Sequence, residues 1–101
     1  MPPSHRHYID FTTDLQRIIH CLINNNVETA RVFLIHANSI YIQQLKKSSK
    51  EGIFSPELEE IWLNLWNSNI PENHNEQLKF ADKIQTLSSI IFNRALKYAV
   101  S

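Results

Sequence analysis

A single glycine, Gly52, serves all 101 residues of this chain. Glycine is the residue that supplies positive φ in tight hairpins and lets backbone close on a bound phosphate. With one available, no G-x-G-x-x-G and no P-loop can be written in the sequence. The apolar residues instead recur at helical spacing almost from end to end. The pattern predicts an all-α protein, a small antiparallel four-helix bundle with helices at about 10–24, 27–48, 56–68 and 73–99 and the third one short. A three-helix core with the third segment packed across it is the alternative arrangement. The whole chain, 1–101, is expected to form one domain, with residues 1–7 as a flexible tail.

The first segment carries Tyr8, Phe11, Leu15, Ile18, Ile19 and Leu22 at three- and four-residue steps, which is one helix face. Asp10, Thr12 or Thr13 are candidate caps, and the run Asn24-Asn25-Asn26 ends the segment, since asparagine tolerates turn and left-handed conformations. In the second segment Ala30, Phe33, Leu34, Ala37, Ile40, Tyr41 and Leu45 share one arc. Val32, Ile35 and Ile42 form another stripe well off that arc. A helix apolar on two sides is either central in its bundle or contacts another subunit. The third segment opens on Ser55-Pro56-Glu57, a serine cap followed by proline and acidic residues at the positive end of the helix dipole. Leu58, Ile61, Trp62, Leu65 and Trp66 are its expected buried face, and Leu63 falls outside it. Phe80, Ile84, Leu87, Ile91, Ala95 and Tyr98 form the stripe of the fourth.

Charge narrows the function classes. Ten Lys and Arg balance ten Asp and Glu, which disfavours a dedicated nucleic-acid binder, whose affinity rests on neutralising phosphates. Nothing suggests an anionic membrane as partner, and the longest uncharged stretch, Val32 to Leu45, is too short to span a bilayer. The lone cysteine, Cys21, excludes an internal disulfide and a multi-cysteine zinc site and reads as a partly buried small hydrophobe. With no apolar signal core at the N-terminus, the expected compartment is the cytoplasm. His5 and His7 sit near the chain start, while His20, His36 and His74 fall on separate segments and no E-x-x-H occurs. No metal and no cofactor are therefore expected.

Two groups of residues could carry chemistry. Arg31-Val32-Phe33-Leu34-Ile35-His36 sets an arginine and a histidine four residues apart in the intervening count. This hexapeptide resembles the R-x4–6-H motif of HEPN ribonucleases, which are also small helical bundles. The resemblance implies a metal-independent ribonuclease in which Arg31 binds the scissile phosphate, His36 acts as acid or base, and a dimer pairs two motifs in one cleft. The plainer reading has Arg31 covering a core edge with its aliphatic stem and His36 facing solvent beside Thr29, Gln43 and Lys47. Lys79, Lys83, Arg94 and Lys97 share one side of the fourth segment and offer a weak nucleic-acid contact or a solvated face.

The leading expectation is a non-enzymatic interaction or regulatory module that binds a protein partner or pairs with itself as a homodimer. Val32, Ile35, Ile42 and Leu63 are its partner-binding candidates.

Overall fold

The computed structural model describes residues 5–46 and 53–100, with side chains described from 6 to 46 and from 53 to 97. Four α-helices follow one another: α1 (His5–Ile23), α2 (Val27–Ile40), α3 (Pro56–Ser68) and α4 (His74–Val100). A π-helical turn, Tyr41–Leu45, continues α2. The second expected helix thus changes its winding before its end, and its last residues, 47 and 48, lie outside the described residues, as does the side chain of Tyr98.

Each helix runs antiparallel to the neighbours it touches. Asp14 meets His36 and Arg17 meets Phe33, so α1 and α2 run in opposite directions. Gln16 bonds Gln85 and Ser88 between α1 and α4. Trp62 bonds Asn38 between α3 and α2. The result is the expected all-α bundle with a short third helix. Its centre is α1, which packs against both α2 and α4. That placement resolves the two-sided pattern of α2, because α2 is not the central helix and its second stripe is left uncovered. The 27 residues of α4 at about 1.5 Å each span the 41 Å long axis of the molecule.

Local chemistry explains most boundaries. At the end of α1, Asn25 takes φ 62°, the Asn26 N–H donates to the Cys21 carbonyl at 2.7 Å, and the Asn25 N–H donates to the Leu22 carbonyl at 3.2 Å. That pair of bonds is a Schellman motif with asparagine in the place glycine usually takes. α4 opens on Asn73, whose side-chain oxygen accepts from the N–H groups of Asn75 and Glu76.

Three expectations about helix starts need correction. α1 begins at His5, so residues 5–7 of the stretch expected as a tail are helical, with the fully buried Tyr8 anchoring the first turns, while residues 1–4 lie outside the described residues. Asp10, Thr12 and Thr13 consequently lie inside the helix and cap nothing; both threonine hydroxyls donate back to the Ile9 carbonyl. Ser55 occupies the N-cap position of α3, but its hydroxyl makes no cap bond and accepts instead from Arg94.

The core gathers the predicted stripes and adds Ile53, Phe54 and Ile70 from the connections. Phe11 packs edge-on against both Phe54 and Trp62, with ring centroids 5.6 and 5.0 Å apart. Ile61, expected in the core, is exposed, since the buried arc of α3 centres on Leu58, Trp62 and Leu65 and leaves Ile61 on its outer shoulder. Trp66 is half-buried and packs against the core edge.

Candidate interaction face and histidine site

Two features stand out on the surface of α2, one toward α3 and one toward α1. On the α3 side the core polar atoms are paired: the buried Trp62 indole N–H donates to the Asn38 side-chain oxygen at 3.0 Å. The Tyr41 hydroxyl bonds Glu59, and burial first, then that carboxylate, raise the phenol above its ordinary value of 10.0. These contacts lock the α2–α3 seam, and the apolar side chains that do not enter it stay outside. Val32, Ile35, Ile42 and Leu63 are 62, 61, 52 and 38% exposed. Leu63 lies four residues after Glu59 and three before Trp66, the two α3 residues that turn toward α2. Helical spacing therefore sets it on the α2-facing shoulder of α3. At one end of the seam a groove of about 360 Å³ is lined by Arg31, Leu34, Ile35, Trp66, Asn67, Asn69 and Ile70.

On the α1 side sits a group that the sequence reading missed. The Asp14 carboxylate, only 2% exposed, accepts from Arg17 at 3.4 Å on one oxygen and is bonded to Nδ1 of His36 through the other. Arg17 also stacks its guanidinium 5.4 Å from the centre of the Phe33 ring. His36 stays 63% exposed while one ring nitrogen is held. An ionised carboxylate only accepts, so the proton of a neutral ring bound to it lies on Nδ1 and the Nε2 lone pair faces away from the bond. The signal for this pairing was present: Asp14 comes three residues after Phe11 and four before Ile18, on the apolar stripe itself. A carboxylate there must find a partner. Asn38, between Leu34 and Tyr41 on the α2 stripe, carries the same signal.

Arg31 and His36 are not brought together within one chain. Five residues of α-helix turn the chain so that the two directions differ by roughly 140°; Arg31 lines the groove toward α3 while His36 reaches α1. Lys79, Lys83, Arg94 and Lys97 are exposed along α4, with Lys79 paired to Glu76 at 3.3 Å and Arg94 donating to Ser55 at 3.4 Å. Cys21 is half-buried against the core. Among the described residues, no three His, Cys, Asp or Glu side chains gather as a metal-binding group, and no helix is long and apolar enough to cross a membrane.

Two further grooves lie between α1 and α4. One is lined by hydroxyls, amides and Phe92, the other by Ile19, Ile23 and Leu78 with Lys79 and Asp82. Compared with known proteins, the chain matches no family model, no curated protein and no solved structure.

Proposed function

We propose that this chain is a non-enzymatic helical interaction module that pairs with a second copy of itself through the outer face of α2 and the adjoining shoulder of α3. The observation that supports this reading is the exposure of Val32, Ile35 and Ile42 on the outer side of the second helix and its π-helical turn, with Leu63 exposed on the neighbouring α3. Apolar surface of this kind is worth about 25 cal/mol per Å² when removed from water, and contiguous patches mark interaction sites. A second copy suits the face for two reasons. The chain has no net charge, so no long-range repulsion opposes approach of identical molecules. Glu28 and Arg31 lie exposed one turn apart beside this stripe, so that the face offers both signs of charge to a second copy.

The test is methyl NMR of the full chain on dilution. Concentration-dependent shifts confined to Val32, Ile35, Ile42 and Leu63, with the methyls of Ile18, Ile84 and Leu87 unmoved, support the reading. Shifts absent from these four residues at every concentration overturn it.

A further inference from the structure

The Asp14–His36 pair lies on the α1 side of α2, at the edge of the proposed pairing face, one turn from Val32, and has a chemistry of its own. His36 is held at one nitrogen by a carboxylate buried in the bundle, while its ring is largely open to solvent. The three grooves described above are lined by other residues. The imidazole is presented on the outer surface of α2, outside those three grooves. A nucleophile displayed in this way is suited to being acted on by a donor that brings its own binding site. We propose that His36 is a covalent modification site whose Nε2 accepts a phosphoryl group from a phosphoramidate donor, the class that includes phosphohistidine on another protein.

Nε2 of the neutral ring attacks phosphorus and a new N–P bond forms. The donor's own P–N bond breaks, and the leaving nitrogen takes the bonding pair, as neutral ammonia from N-protonated phosphoramidate or as neutral imidazole from a phosphohistidine protonated on its other ring nitrogen. No oxidant or second reactant is needed. The ring becomes cationic as the bond forms, with its proton still on Nδ1 and shared with Asp14. The carboxylate therefore stabilises the charge that develops, as a general orienting partner does for an imidazole nucleophile. Arg17 is on the other oxygen of the same carboxylate and is fixed over Phe33. Its partly exposed guanidinium adds a positive charge to the neighbourhood of the pair, which favours the approach of an anionic phosphoryl group. Asp14 and Arg17 act here as positioning residues; only His36 touches the phosphorus.

The chain carries its own controls. His20 and His74 are also exposed, but among the described residues neither is paired with a carboxylate; His74 faces the Gln77 amide instead. The full chain is incubated with potassium phosphoramidate at neutral pH, and the modified sites are mapped by mass spectrometry under alkaline conditions, which preserve phosphohistidine. The expected result is an 80 Da adduct at His36 formed at least about tenfold faster than at His20 or His74, the scale of one charge-assisted hydrogen bond. An Asp14→Asn variant that keeps its melting transition is expected to lose that advantage while retaining the basal rate of His20. Equal labelling of the three histidines in the wild type, or no labelling of His36, overturns the proposal without needing any variant. A fast His36 that stays fast in Asp14→Asn overturns the role given to the carboxylate.

Discussion

Replacing Ile35 by aspartate separates an interface residue from a core residue by a wide margin. Full burial of an isoleucine side chain is worth about 1.5–3 kcal/mol. Ile35 leaves 61% of its surface open in the single chain, so covering the remainder yields roughly 1–2 kcal/mol per copy. A two-fold pair counts this contribution twice, roughly 2–4 kcal/mol per dimer. At about 1.4 kcal/mol per decade, Ile35→Asp should raise the dissociation constant roughly 30- to 1,000-fold. Desolvating the new carboxylate adds to that figure. The folded monomer should barely notice. An exposed helix position tolerates substitution within about 0.5 kcal/mol, which moves the melting temperature of a domain this size by no more than about 4 °C. Leu34 is the control, one residue away and buried in the core; Leu34→Ala should cost about 2–5 kcal/mol. Sedimentation velocity gives the association constant, and thermal denaturation at a concentration where the protein is monomeric gives the stability. The reasoning fails if Ile35→Asp unfolds like Leu34→Ala, because the stripe would then be core, or if its association matches the wild type.

Three other perturbations test the framework that holds this face in place. Asn38→Ala leaves the buried Trp62 indole N–H without its acceptor and should cost roughly 1–3 kcal/mol, read as a lowered midpoint in urea denaturation. Asn25→Gly should raise stability by a few tenths of a kcal/mol to about 1 kcal/mol, and Asn25→Val should lower it, because the Schellman turn demands positive φ there. Tyr41 binds its proton more tightly in the fold than in the unfolded chain, where it titrates near 10.0, owing to burial and then Glu59. Its contribution is present below pH 10 and falls away as the pH rises above that value. Tyr41→Phe should flatten this alkaline loss in a pH series of melting temperatures.

The helices were legible because their punctuation is local. Pro56 at the first helical position and the asparagine run need only neighbouring residues to act, so α3 and the α1–α2 turn fall where sequence alone sets them. The apolar stripes located the core for the same reason, since period and burial are directly linked. What was not legible depends on which helix stands next to which. The periodicity of α2 marks two apolar sides but not that α1 takes the centre, and so it left open whether Val32, Ile35 and Ile42 were covered. Ile61 was misassigned because five apolar residues crowd a helix face that has room to bury fewer. The beginning of α1 at His5 follows from the burial of Tyr8 under tertiary contacts, against a polar local sequence. Asp14 with His36, and Asn38 with Trp62, join residues more than twenty positions apart. The sequence flags each of these polar residues on its stripe but cannot name the partner.

The claim at the centre of this account is that the seam of α2 and α3 is a surface made to be covered by a second copy. Light scattering of the wild-type chain over a concentration series addresses it most directly. The account predicts a mass that rises from 11.8 kDa toward twice that value and then levels, as a closed two-fold pair requires. A mass that stays at the monomer value up to millimolar concentration contradicts it.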